Sequence, residues 1–268
     1  MSDVVRAVIL GIIEGLTEFL PVSSTGHLVL AMPWLGIDPE VAPWKAFLYF
    51  IQIGAILAVL IYFFRALLRQ TFRPASDGWQ CHVLTKVAVG VIPGGVVGLL
   101  LDDVMEQYLE WELPVAIALI VGGGAMWWIE KRFRKTEGPG IEQVTLRQSF
   151  LIGLAQCVAI IPGTSRSMAT IMGGLMVGLP AATAAEFSFY LAIPTLFGAG
   201  LLRVFKHRES MTGDNVTIMA VGFVVSFVVA WIAVAGFMSY IRRKSLIPFA
   251  VYRVLLGALV LGIYFANK

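Results

Sequence analysis

Six apolar stretches, 47–64, 83–101, 113–129, 187–204, 216–241 and 246–265, constrain this chain more than any other feature in it. Each is long enough to cross, as a helix, the roughly 30 Å hydrocarbon core of a bilayer. No water reaches that core to satisfy backbone N–H and C=O groups, so such stretches fold as helices that bond internally. Composition agrees. With 58% of residues hydrophobic and only 14% charged, the chain is too apolar for an ordinary soluble domain. The expected fold class is an all-α integral membrane protein, one membrane domain over 1–268. The net charge of +3 is small, so its meaning lies in where Lys and Arg fall, and no nucleic-acid partner is expected. Cys81 and Cys157 lack metal-ligand spacing and read as packing residues. Asp3, Glu14 and Glu18, with no basic run before them, argue against a cleaved signal peptide.

Two further stretches are apolar but broken. The first, GIIEGLTEFLPVSSTGH at 11–27, holds two acids, a proline with three hydroxyls after it, and a histidine. In a helix, Glu14 and Glu18 share a face four residues apart, where like charges repel unless a proton or a cation stands between them. Pro21 disfavours helical geometry at Leu20, so one helix should end there and another begin at Ser23 or Ser24. That start offers unpaired backbone N–H groups and the hydroxyls of Ser23, Ser24 and Thr25, a combination that receives anions. Gly26 lets the backbone come close. His27 follows as an acid, a base or a nucleophile.

The second stretch, 146–177, is interrupted by IPGTSRS and has the same plan: apolar helix, proline, hydroxyl-rich turn, Gly-rich helix. Gly11 aligns with Gly153 and Glu14 with Gln156. After a one-residue gap, PVSST from Pro21 aligns with PGTSR from Pro162. PVAIALIVGG from Pro114 and PFAVYRVLLG from Pro248 close the two halves alike. Each half, about 1–135 and 142–268, reads as a re-entrant helical hairpin followed by three transmembrane helices, and the odd number of crossings makes this an inverted-topology repeat. Arg65, Arg69 and Arg73, then Lys131, Arg132, Arg134 and Lys135, then Arg242, Arg243 and Lys244 mark cytoplasmic loops, and the acidic 102–112 an outer one. Arg203, Lys206 and Arg208 disagree. A topology in which 146–177 crosses once would move them inside, but that segment is overlong for one span and broken in its middle. With two hairpins, the tips meet inside the membrane and bring Arg166 to Glu14, Glu18, Ser24 and His27.

EGLTEFLPVSSTGH and PGTSRS together resemble the signature of the bacterial undecaprenyl-diphosphate phosphatases of the BacA type, and the likeness runs over essentially the whole chain. The resemblance implies hydrolysis of undecaprenyl diphosphate to the monophosphate, which recycles the lipid carrier for cell-wall synthesis and confers bacitracin resistance. It also implies a divalent cation and an active site open to the outer face of the cytoplasmic membrane. By the same likeness the catalytic roles fall on Glu14, Glu18, Ser24, His27 and Arg166. Phosphate binding falls on Ser23, Thr25, Gly26, Thr164, Ser165 and Ser167. Met168 departs from the pattern, standing where a small residue is expected after Ser-Arg-Ser.

The residues suit that chemistry, because phosphoryl transfer needs charge neutralised on the equatorial oxygens and an aligned nucleophile. Glu14 and Glu18 are expected to hold Mg²⁺ or Ca²⁺, directly or through water. The plainer alternative is a protonated acid or an ion pair with Arg166. Arg166 offers a bidentate fork to phosphate. Ser24 is the first choice of nucleophile, with His27 activating it or protonating the leaving group; attack by His27 or by metal-bound water remains open. Arg253 and Glu186 are expected to pair with each other or with backbone carbonyls, and Gln52, Gln156 and Thr170 to satisfy buried backbone or line a cavity. Trp127 and Trp128 beside Lys131 and Arg132 read as an interfacial anchor. The expected partner is an isoprenyl diphosphate lipid, with a homodimer left open. The rival function is a secondary transporter or lipid-phosphate flippase, since inverted repeats with broken helices are how such carriers are built.

Overall fold

The computed structural model describes residues 1–38, 41–72, 78–79, 82–108, 112–206 and 215–266. The readings placed on Arg73, Cys81 and Arg208 fall outside these residues, as do the side chains of the acidic stretch from 102 to 111. The described residues form ten α-helices: α1 Asp3–Thr17, α2 Ser24–Trp34, α3 Ala42–Thr71, α4 Val83–Tyr108, α5 Glu112–Phe133, α6 Leu146–Gln156, α7 Arg166–Met176, α8 Ala181–Lys206, α9 Asn215–Ile241 and α10 Ile247–Ala266. Six of them, α3, α4, α5, α8, α9 and α10, are long and apolar enough to cross a membrane, and they coincide with the six apolar stretches of the sequence. Their outward faces carry exposed Leu99, Val121, Ile232 and Leu255, a surface that suits lipid and not water. This is a multi-pass membrane protein.

The two broken stretches fold as helix pairs around a turn. α1 stops at Thr17, three residues before Leu20, where the sequence placed its end. Pro21 has no N–H to give the carbonyl of Thr17, four residues back, and the Thr17 hydroxyl turns back to the Ile13 carbonyl at 2.6 Å. α6 gives way to a 3₁₀ turn, Cys157–Ile160, ahead of Pro162, and α7 starts at Arg166.

The packing partners recur between the first five helices and the last five. α1 lies on α9 and α6 on α4; α3 lies on α9 and α8 on α4; α5 pairs with α10 and α3 with α8. Glycines set the closest approaches. A Cβ on Gly11 would sit 2.8 Å from the Gly222 carbonyl oxygen of α9, and one on Gly153 would overlap the Gly90 carbonyl of α4. Between these layers runs a core that includes Phe19, Val59, Phe63, Met126, Ile152, Met168, Phe187, Phe189 and Phe237. It lies directly behind the two turns. The long Met168 side chain fits this core because Gly122 on α5 has none; a Cβ there would stand 3.1 Å from the Met168 methyl.

Three polar readings are settled by contacts. Arg253, fully buried, donates to backbone carbonyls and not to Glu186: Pro21 at 3.5 Å, Ala118 at 3.3 Å and Gly163 at 3.0 Å. Glu186 instead accepts the Tyr190 hydroxyl one turn along α8, at 2.8 Å. Thr170 returns its hydroxyl to the Arg166 carbonyl at 2.9 Å. The Lys131 ammonium lies over the exposed Trp127 ring, 4.2 Å from its centre.

Candidate active site

Each turn ends on a serine in an unusual backbone conformation. Ser23 has φ 72°, ψ 103° and Ser165 φ 73°, ψ 117°, the only positive-φ residues other than glycine among those described. Such geometry costs an L-residue on the order of 1–3 kcal/mol and is held only where the surroundings enforce it. Both serines cap the helix that follows. Ser23 Oγ accepts the Gly26 N–H and Ser165 Oγ the Met168 N–H, each at 3.3 Å. Ser23 is therefore the counterpart of Ser165, and Arg166 that of Ser24. The sequence alignment, which set Arg166 against Thr25, is one residue out, because the second turn is one residue longer after its proline.

The turns are joined through Glu18. Its Oε2 accepts the Ser24 hydroxyl at 2.7 Å, and its Oε1 lies 3.4 Å from Nη2 of Arg166. A hydroxyl from α2 and a guanidinium from α7 thus share one carboxylate from the first turn. Arg166 is held on other sides too: Nη1 donates to the Ser188 carbonyl at 3.2 Å, and the guanidinium lies over the Phe19 ring, 5.4 Å from its centre. Phe19 in turn packs edge-on against Phe189, at 5.6 Å. Ser167 Oγ donates to the Leu20 carbonyl at 2.9 Å, a second tie between the turns. Arg253 is a third, since Pro21 belongs to one turn and Gly163 to the other.

The remaining sequence candidates are placed as follows. Thr25 is exposed at the first turn of α2, Gly26 is buried against Leu119 of α5, and Thr164 is buried. Ser165 and Ser167 are 3.0 Å apart, Oγ to Oγ. The carboxyl of Glu14, one helical turn before Glu18 and on a residue 2% exposed, makes no hydrogen bond or ion pair among the described residues. His27 is not bonded to Ser24. Its Nδ1 meets the Ser23 carbonyl at 2.7 Å and its Nε2 the Tyr252 hydroxyl at 2.6 Å. The acceptor for the Ser24 proton is Glu18.

With the acids, the hydroxyl and the guanidinium gathered from two distant motifs, comparison with known proteins is decisive. The family model for bacitracin resistance protein BacA matches residues 7–259. The chain belongs to the BacA family. Among curated proteins, the undecaprenyl-diphosphatase of Novosphingobium aromaticivorans is 44% identical, with 98% of each chain covered. That of Nitrosomonas europaea is 43% identical over 96% of this chain and 93% of its own. Undecaprenyl-diphosphatase 1 of Clostridioides difficile is 43% identical over 99% and 97%. The resemblance drawn from EGLTEFLPVSSTGH and PGTSRS is borne out at the level of the family.

Whether a BacA-family site of this make can hold a divalent cation is testable on its donors. No cluster of three or more His, Cys, Asp or Glu exists among the described residues, so these residues do not by themselves build a full oxygen cage. Glu14 is buried with no partner among the described residues, and Glu18 sits one turn away. One or two carboxylates completed by substrate phosphate and water is the set Mg²⁺ takes. The residues fit a cation of that kind, and Glu14 would be the freer donor, since both Glu18 oxygens are already engaged.

Four participants escape sequence reading. Phe19 and Ser188 hold Arg166, and Leu20 holds Ser167, the first by its ring and the others by backbone oxygens. Backbone acceptors leave no mark on residue type. Tyr252 carried a faint signal, as the neighbour of an intramembrane arginine.

Proposed function

We propose that the chain hydrolyses undecaprenyl diphosphate to undecaprenyl phosphate and phosphate through a phosphoserine at Ser24, in a site assembled from two inverted helical hairpins. The hydrogen bond from Ser24 to Glu18, with Arg166 on the same carboxylate, carries the reading. Ser24 Oγ attacks the terminal phosphorus in line, Glu18 takes the hydroxyl proton, and the bond from that phosphorus to the bridging oxygen breaks, releasing the lipid monophosphate. Arg166, pre-set by Phe19 and Ser188, turns its fork to the equatorial oxygens as charge builds there. Glu14 and Glu18 would hold Mg²⁺ or Ca²⁺, which when bound neutralises diphosphate charge.

His27 serves the second half of the reaction. With Nδ1 donating to the Ser23 carbonyl, Nε2 is its basic nitrogen. It takes a proton from the water that attacks the phosphoserine, while Glu18 returns its proton to Ser24 Oγ as phosphate leaves. Ser23 and Ser165 shape the two turns, Thr25 stands exposed on the phosphate side, and Gly26, Thr164 and Ser167, all buried, back the turns from behind. The matched caps, the exchanged packing partners and the paired glycines support an inverted repeat. The loops bearing Arg65, Lys131 and Arg242 then face the cytoplasm, and the site opens to the outer side of the inner membrane.

The relatives are named undecaprenyl-diphosphatase, which supports hydrolysis and not carriage. Purified protein in detergent, where no gradient exists, is expected to release phosphate from undecaprenyl diphosphate when Mg²⁺ or Ca²⁺ is supplied. A protein that binds the lipid and releases none overturns the reading and leaves the flippase standing.

A further inference from the structure

We infer that Tyr252 is a further residue of the site, holding His27 in the one orientation and tautomer in which Nε2 works as a base and handing on to it the proton that water gives up. The inference rests on the role of His27 proposed above. Both ring nitrogens are committed: Nδ1 lies 2.7 Å from the Ser23 carbonyl and Nε2 lies 2.6 Å from the Tyr252 hydroxyl. A carbonyl accepts only, so Nδ1 carries the proton, and in the neutral ring Nε2 then accepts from the tyrosine. The two rings lie nearly parallel, 13° apart.

A hydroxyl is well suited to this place. It donates to Nε2 while the imidazole is neutral; as water gives a proton to the tyrosine oxygen, the tyrosine's own proton passes to Nε2, which then donates back, so the ring is held on both sides of that transfer. A carboxylate or a carbonyl would hold only the protonated ring. The mount is rigid as well. Next along α10, Arg253 is tied to the carbonyls of Pro21 and Gly163, so α10 grips the first turn at Pro21 and again at His27. Tyr252 is half-exposed and outside the packed core. Tyr252→Phe therefore removes the hydroxyl and leaves the packing in place.

The test uses purified full-length protein, with kcat and KM for undecaprenyl diphosphate and nitrogen-15 spectra of labelled histidine, His27 being assigned from His27→Ala. Tyr252→Phe is expected to lower kcat about tenfold with KM within twofold. The Nε2 resonance of His27 shifts while Nδ1 stays in place, and in a His27→Ala background the same change costs less than twofold. A kcat within twofold of the parent, an unmoved Nε2 resonance, or an equal loss in the His27→Ala background overturns the inference. Full activity in His27→Ala alone overturns the role of His27 itself, whatever Tyr252→Phe does, so the two failures are told apart.

Discussion

Arg166 binds Glu18, the Ser188 carbonyl and the face of Phe19 at once, and that is what a fork can do and a point charge cannot. Arg166→Lys keeps the charge and loses the geometry. Its kcat is expected to fall on the order of 100-fold, with the melting temperature in detergent little changed; a steady-state assay beside a thermal melt checks both. Glu14 makes a different case. Its carboxyl, with no hydrogen bond or ion pair among the described residues, is not needed to hold Arg166 or Ser24. Glu14→Gln should therefore fold normally and lose its response to Mg²⁺ or Ca²⁺, seen as a flat metal titration at a low rate. Chelator added to the parent protein should bring it to that same rate, and re-added cation should restore it. These residues were legible in the sequence because acids and an arginine inside oil need a reason. What was not legible was who touches whom. His27 stands three residues after Ser24 and reads as its base, yet the positive φ of Ser23 turns the first residues of α2 so that Ser24 meets Glu18 and His27 meets Tyr252.

At the scale of elements, close backbone contacts decide how the turns are presented. Gly153→Ala would drive a methyl into the Gly90 carbonyl and separate α6 from α4. The expected cost is ~1–3 kcal/mol, read as a fall in melting temperature. Gly124→Ala, where nothing lies within 4 Å of the added carbon, is the control. It should be neutral or stabilising by up to ~1 kcal/mol, the usual gain for alanine over glycine in a helix. Arg253→Met removes the tie between the turns and strands the Pro21 and Gly163 carbonyls, each at ~1–3 kcal/mol. That variant is expected to lose stability and activity together, unlike Arg166→Lys. The six spans could be read from hydropathy alone, because length and apolarity are local. The end of α1 and the register between the turns could not. Both depend on a proline's missing N–H and on one extra residue before Ser165, and a pattern of types does not count hydrogen bonds.

Across the whole molecule, two motifs about half the chain apart supply unlike halves of the proposed site: acids, hydroxyl and histidine from the first, a guanidinium from the second. The membrane placement proposed for that site has its own test. A cysteine at the exposed Thr25 should react with an impermeant thiol reagent applied to intact cells, and one at the exposed Lys131 should not; the reverse pattern would turn the protein over. The central claim is that Ser24, primed by Glu18 and faced by Arg166, takes the phosphoryl group onto itself. Rapid-quench mass spectrometry of the protein mixed with undecaprenyl diphosphate in oxygen-18 water tests it most directly. The expected result is a phosphate adduct on Ser24 that rises before free phosphate, and none in Ser24→Ala. Free phosphate appearing with solvent oxygen and no adduct on any residue at any time would contradict it.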